Sequence, residues 1–438
     1  MLRQVTVKNG KIEGLPGNDP RVTVYKGVPF AKPPVGDLRW KRPFPADSWE
    51  GTLKAYKFAP ISVQDQPAVG TDIYCQEWHV DPDIPMSEDC LYLNVWTPAK
   101  KTDEKLPVLL WFFGGAFQWG YTAEMEFNGE RLARRGIIVV SVNYRLAALG
   151  FLSHPELTAE DPEYPSNFGL LDQKAGLDWV RENIAAFGGD PDNITIAGQS
   201  AGGGSVLNQL INEDNYDSIK GAVILSGMID MPGDEILCPK SLEEAEKCGV
   251  DFFNYIGVKS LAEARAIDAF KLRDLYGKWA EENHPRVVPL IDGKHYKDNP
   301  LNLFKKNLRA PVPVICGYTA DEFIFDGVNI VKKSVVDTVN AALGNGCGDI
   351  YVYEFNTDIP GEDNPGNFHS VDLWFWFNTI HYCHRAYRGH HYDLSRIMAN
   401  YLAEFVKHHD PNGIDDDGSQ MPEWKKADPD DLHTKLFN

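Results

Sequence analysis

Residues 3–14 alternate polar and apolar side chains, break at Asn9-Gly10, and alternate again. Period-two alternation around Asn-Gly predicts a hairpin. Residues 22–31 continue with Val22-Thr23-Val24-Tyr25 before a proline-rich loop. From about residue 90 the pattern changes to unbroken apolar runs at 106–113, 136–144, 193–197, 221–225, 311–316 and 349–355. Such runs fit strands covered on both faces, as in a parallel sheet. Between them lie helical patterns at 169–187, 200–211 and 241–256, and a last one at 392–408. Strand and helix in alternation argue for an α/β fold with a doubly wound sheet.

Composition narrows this picture. The chain has 438 residues, 43% of them hydrophobic, enough to bury one large core. It shows no flexible linker, low-complexity run or repeat, so a single domain over 1–438 is expected. A net charge of −20 would be repelled by phosphate backbones and anionic membranes, which argues against a nucleic-acid partner. The apolar runs are strand-sized and too short to span a bilayer. The first residues lack the apolar stretch of a signal peptide. Seven cysteines, an odd number, with no signal segment favour reduced thiols in a cytoplasm. A leader removed beforehand would instead make the protein secreted.

The strongest chemical signal is Gly198-Gln199-Ser200-Ala201-Gly202, between the β-branched run at 194–197 and a helical pattern. A serine on a sharp strand-to-helix turn needs small neighbours, and its hydroxyl then projects above the sheet. The helix beginning at Ala201 would aim its first N–H groups at a developing oxyanion. A second glycine turn, Phe113-Gly114-Gly115-Ala116, ends the first core run. Gly115 and Ala116, together with Ala201, are the candidate oxyanion donors.

Several further segments accompany these turns. They are Tyr25-Lys26-Gly27-Val28-Pro29-Phe30, Ser87-Glu88-Asp89-Cys90-Leu91-Tyr92-Leu93-Asn94-Val95-Trp96, Asn143-Tyr144-Arg145-Leu146, and Phe187-Gly188-Gly189-Asp190-Pro191. With them the chain resembles the type-B carboxylesterases, the cholinesterase-like α/β-hydrolases, over almost its whole length. The resemblance implies an α/β-hydrolase fold: a central, mostly parallel sheet with helices on both faces, an N-terminal β-hairpin, and a helical insertion at roughly 228–310 beside the cleft. It implies a Ser-acid-His triad in that order. Glu322, in Gly317-Tyr318-Thr319-Ala320-Asp321-Glu322-Phe323, takes the acid's place, with Asp321 as its rival. His369, in Phe368-His369-Ser370-Val371-Asp372, takes the base's. Ser226 falls where the family often has a second serine.

The departures carry information. The family's third loop glycine is Ala116, whose methyl narrows the space beside the oxyanion. The common glutamate before the nucleophile is Gln199, which removes a negative charge. Phe323 replaces a glycine. The interval from Glu322 to His369 is short, so a more open cleft is expected. Phe117, Trp119, Tyr121, Phe323, Phe325, Trp374, Phe375 and Trp376 crowd these segments. Most are expected in the core, and any lining the cleft would suit an aryl group such as a cinnamate.

Arg39 with Glu88, and Arg145 with Asp172, resemble structural ion pairs of the family. It would also allow disulfides Cys75–Cys90 and Cys238–Cys248, but the reduced state is expected. His381, His384, His390 and His391 with Cys383 match no zinc template, and 410–418 reads as a surface loop rather than a calcium site. The expected function is therefore serine carboxylic-ester hydrolysis of small to medium esters, aromatic ones included, without metal or cofactor, by a monomer or homodimer. Two other classes stay open: a catalytically dead, adhesion-like binding module, and a serine amidase or thioesterase.

Overall fold

The six apolar runs become strands of one sheet. The structure, a computed structural model, describes residues 1–230, 240–282 and 286–438. In spatial order the ten described strands are Lys435–Phe437, Ile350–Phe355, Val314–Thr319, Gly221–Leu225, Gly189–Gln199, Leu106–Phe112, Ile138–Val142, Tyr92–Thr97, Thr23–Pro29 and Leu15–Pro16. Pairing is parallel from Lys435–Phe437 through Ile138–Val142, and antiparallel beyond. The N-terminal hairpin, Gln4–Val7 with Gly10–Glu13, stands apart and pairs with Thr52–Lys54.

Alternate residues of the central strands enter two different cores. Val108, Leu110, Ile194, Ile196, Ala222 and Ile224 pack with Leu177, Val206, Leu210, Val335 and Val339. The helices Phe168–Asn183, Ala201–Ile211 and Ile330–Gly344 therefore cover one face. Leu109, Trp111, Ala197, Val223 and Tyr351 pack with Met398, Tyr401 and Phe405 of the helix Gly389–His408 on the other. Both faces being covered explains why these strands carry no polar alternation.

Local chemistry sets several boundaries. Ser241 and Glu244 form a capping box at the start of Leu242–Ile256, and Gly257 ends that helix at φ +74°. The strand expected at 311–316 begins only at Val314, because Pro311 and Pro313 have no N–H to give a ladder. Tyr92–Thr97 escaped the hydropathy pattern because Asn94 interrupts it. That amide is buried and donates to Thr122 Oγ1 at 3.0 Å and Ser141 Oγ at 3.1 Å.

The expected ion pairs are present: Arg39–Glu88, part-buried, at 2.6 Å and Arg145–Asp172, buried, at 2.7 Å. Cys75 and Cys90 form no disulfide. Cys238 lies outside the described residues. No helix among the described residues is long and apolar enough to cross a membrane.

The chain runs from Leu106–Phe112 outward to Ile138–Val142 and then back to Gly189–Gln199 on its other side. This reversal leaves a crevice at the carboxyl ends of Leu106–Phe112 and Gly189–Gln199, the usual ligand position in an open α/β sheet. The glycine turn at 113–116 and Ser200 stand there.

Candidate active site

Ser200 sits at φ +56° and ψ −124°, between the end of its strand and the first residue of the helix Ala201–Ile211. A non-glycine residue holds such a conformation only where its surroundings over-determine it. Here they do. The Ser200 N–H donates to Leu225 O at 2.9 Å, and its carbonyl accepts from Gly204 N at 2.9 Å. Side chains at either flanking glycine are excluded. A Cβ on Gly198 would collide with the Gly202 carbonyl, and one on Gly202 with the Phe112 carbonyl.

The next strands bring the other groups. Ser226 follows Gly221–Leu225, Glu322 follows Val314–Thr319, and His369 lies in the loop after Ile350–Phe355. These strands are consecutive neighbours of the Ser200 strand. Glu322 is 1% exposed and His369 7%. The Glu322 carboxylate contacts His369 Nδ1 through Oε2. Its Oε1 accepts from Ser226 Oγ at 2.9 Å and Thr319 N at 2.8 Å. With Nδ1–H directed at a carboxylate, a neutral imidazole presents the Nε2 lone pair to the cavity. Gln199 Nε2 lies 3.3 Å from that nitrogen. Among the described residues the Ser200 hydroxyl makes no hydrogen bond to the ring. Such bonds are often long in unliganded enzymes and tighten in the complex.

Asp321, the rival acid, is exposed and turns away. Its Oδ2 accepts from Asn367 N at 2.7 Å, and its N–H donates to Asn367 O at 3.1 Å. It thus fastens the turn carrying Glu322 to the loop carrying His369.

Gly115, Ala116 and Phe117 have φ of +108°, +52° and +60°. Three positive values in succession curl the loop so that Gly115 O accepts from Gln118 N and Trp119 N. Among the described residues the N–H groups of Gly115 and Ala116 have no backbone partner. Ala201 opens its helix, where the first N–H groups lack intrahelical acceptors. Gly115, Ala116 and Ser200 line one cavity, and Ala116, Ser200 and Ala201 another.

The sequence profile of the carboxylesterase family matches residues 2–345 and 327–437. The chain belongs to that family. It is similar to the para-nitrobenzyl esterase of Bacillus subtilis (strain 168), 35% identical over 395 residues, covering 86% of this chain and 75% of that one. It is also 36% identical over 325 residues to the fumonisin B1 esterase of Sphingopyxis macrogoltabida, covering 72% of this chain. It spans only 55% of that relative's length. Among solved structures, a PNB esterase superposes with a TM-score of 0.85 at 26% identity, covering 100% of this chain and 96% of that one. A Geobacillus stearothermophilus carboxylesterase superposes at 0.81 and 28%, covering 99% and 96%.

Within this carboxylesterase-family frame, two departures acquire a geometry. Ala116 and Phe323 stand where the family pattern has glycine, and both have positive φ, Phe323 at +44°. Glycine adopts that region freely, whereas a side chain there is strained. The Phe323 ring lies 4.5 Å from the His369 ring and lines both cavities. One cavity, of about 290 Å³, is walled by Phe117, Leu207, Leu290, Tyr296 and Leu301. Leu290, Tyr296 and Leu301 fall within the interval 228–310, where the sequence led to expecting a helical insertion. The other, of about 510 Å³, holds His369, Gln199, Trp78, Trp119 and Glu124.

Of the eight aromatics read from the sequence, Phe117, Trp119 and Phe323 line these cavities. Tyr121, Trp374, Phe375 and Trp376 are core, and Phe325 is exposed. The sequence reading missed Tyr74, Trp78, His79, Glu124 and Glu126 as cavity wall. All five precede the Ser200 turn in the chain and carry no spacing that marks them. Of the histidine cluster, His390 and His391 approach Asp358. Both His391 nitrogens are engaged there, Nδ1 by Arg388 N at 2.9 Å and Nε2 by Asp358 O at 2.7 Å, so the group caps a helix.

Proposed function

We propose that this chain is a serine carboxylic-ester hydrolase working through an acyl-enzyme. Ser200 is the nucleophile, His369 the base, and Glu322 the acid that orients it. One observation carries the reading: Ser200, on a strained turn, shares a cavity with an imidazole whose far nitrogen meets a buried carboxylate.

His369 Nε2 takes the hydroxyl proton as Ser200 attacks the ester carbonyl. The N–H groups of Gly115, Ala116 and Ala201 hold the oxyanion. The alcohol departs with that proton, and water cleaves the acyl-serine by the same route. Ser226 and Gln199 adjoin the reacting groups and steady Glu322 and His369. No step calls for a metal or cofactor.

The two cavities divide the ester. The leaving oxygen must reach the imidazole, and the larger cavity holds it, so the alcohol lies there and the acyl group in the apolar cavity. A volume near 290 Å³ with Phe117 and Tyr296 in its wall suits a small to medium, aryl-bearing acyl chain.

The test is hydrolysis of a panel of p-nitrophenyl acyl esters and labelling with a fluorophosphonate. Ser200→Ala should lose labelling and at least about 10⁴-fold in kcat while keeping its fold. Retained turnover would refute the assignment. An unlabelled wild-type chain would favour the catalytically silent binding module.

A further inference from the structure

The glycine turn that presents Gly115 and Ala116 cannot hold its shape unaided. Ala116 and Phe117 bear side chains at φ +52° and +60°, directly after Gly115 at +108°. Such a run is strained and persists only where its neighbours over-determine it. One short segment, 143–147, does so from both ends of the turn. It leaves the strand Ile138–Val142, which pairs with Leu106–Phe112 in the sheet. Tyr144 Oη donates to the Phe113 carbonyl at 2.8 Å, where the turn begins. The Tyr144 ring also stacks on the Phe113 ring, with centroids 4.3 Å apart and planes at 17°. Ala147 N donates to the Phe117 carbonyl at 2.8 Å, where the strained run ends. Just beyond, Asn143 Oδ1 accepts from Thr122 N at 3.1 Å and from Thr122 Oγ1 at 3.0 Å.

The segment is itself fixed. Asn143, Tyr144 and Arg145 are buried. Asp172 Oδ2 accepts from the Arg145 N–H at 3.0 Å and from its Nε at 2.8 Å, so the ion pair ties down backbone as well as side chain. The Arg145 carbonyl leaves no room for a Cβ at Gly150 or Gly169. Burial pushes the Tyr144 phenol far above its ordinary value, so it stays a neutral O–H donor. What it holds is a sensitive point. A Cβ on Gly202 would lie 2.8 Å from the Phe113 carbonyl, and one on Gly114 only 2.7 Å from the Gln199 carbonyl and 3.1 Å from Ser200 Cβ. The start of the turn thus leans on Ser200 and on the helix that opens at Ala201. The direction of the Phe113 carbonyl therefore sets how the Gly115 and Ala116 N–H groups stand relative to that of Ala201.

We propose that Asn143, Tyr144 and Ala147 form a cradle that aligns the oxyanion donors, with Tyr144 as its chief positioning residue. Tyr144 lines neither cavity and acts through the Phe113 carbonyl. This rests on the esterase reading above, which gives the turn its donors. The cradle matters at one step. As Ser200 Oγ bonds to the ester carbon, its proton passes to His369 Nε2 and the C=O π pair moves onto oxygen. Only that new charge calls on the alignment of the donors, so substrate binding before the step gains little from it.

Tyr144→Phe removes one oxygen and keeps the ring stack. With p-nitrophenyl butyrate its kcat, counted per site titrated by a fluorophosphonate, should fall at least about tenfold while KM moves by less than about twofold. A trifluoromethyl ketone, which adds to Ser200 as a hemiketal oxyanion, should lose affinity by the same factor as kcat/KM. Tyr25→Phe is the control. Tyr25 is also buried and its Oη donates to a backbone carbonyl, that of Leu2, at 2.9 Å, but it lines neither cavity. It should lower the melting temperature and leave kcat and ketone affinity unchanged. A Tyr144→Phe enzyme that loses melting temperature alone would overturn the proposal, and so would an equal loss of kcat in Tyr25→Phe. If Tyr144→Phe does not fold, Asn143→Ala faces the same two measurements, with the same pattern expected and unchanged values overturning the cradle. A wild-type chain that neither hydrolyses the ester nor reacts with the fluorophosphonate removes the esterase reading and the cradle with it. An active wild type beside an unaltered Tyr144→Phe removes the cradle alone.

Discussion

A methyl group on Gly202 would enter the space of the Phe112 carbonyl, a backbone atom that cannot rotate away. Gly202→Ala should therefore cost about 1–3 kcal/mol of stability, read as a lower melting temperature, and displace the Ser200 turn so that esterase activity falls with it. Ser226→Ala asks less. Glu322 keeps its bond from Thr319 N but loses the one from Ser226 Oγ. About 1.5–3 kcal/mol is expected for a buried hydrogen bond to a charged group, read as a drop in kcat of about tenfold or more with KM little changed. At this scale the sequence was uneven. Ser200 stood out because the chemistry demands small residues on both sides of it. Only the family resemblance favoured Glu322 over Asp321, since adjacent acids on a turn look alike until burial and partners are known. Glu126 was invisible: an acid between Met125 and Phe127 reads as ordinary surface alternation, and only the fold turns it inward.

The elements around the cleft are held by ion pairs as much as by the sheet. Arg385 joins Glu77, at the end of the helix Ile73–Glu77, to Asp363 in the loop before His369. Its Nε lies 2.6 Å from Glu77 Oε1, and both side chains are almost fully buried. Arg385→Met would leave Glu77 buried without its counter-charge, a loss of about 3–5 kcal/mol measurable by chemical denaturation. Pairing it with Glu77→Gln should recover part of that loss. Hydropathy had no means of finding this clamp, because Glu77 lies 308 positions from Arg385. The central strands were legible because burial on both faces leaves a continuous apolar run. Tyr92–Thr97 was not, since its buried Asn94 is satisfied by Thr122 and Ser141, partners known only once the chain is folded.

The stability of the whole molecule should carry the mark of one interior acid. Asp372 is fully buried, with Oδ2 accepting from Tyr353 Oη at 2.8 Å and Trp376 Nε1 at 3.1 Å, while Oδ1 has no partner among the described residues. Burial, only partly offset by the Tyr353 bond, pushes its pKa from 3.8 to about 6. The folded chain then binds this proton more tightly than the unfolded chain. Its stabilising contribution is full below 3.8 and lost as the pH rises through about 6. By neutral pH the decrement is about 3 kcal/mol. Asp372→Asn lacks it, so thermal melts at about pH 4.5 and 7.5 should show the variant gaining on the wild type as the pH rises. A constant gap would mean that Asp372 does not titrate in this range.

The placement of the reacting groups bears on how the protein would fail. Ser200, Ser226 and Glu322 close adjacent strands, so the spacing of the sheet fixes their separations. His369 instead arrives on a loop fastened through Asn367 and Asp321. Gentle warming should free that loop while the sheet stays intact. Catalysis would then fade before the far-ultraviolet signal does, and cooling would restore it without refolding.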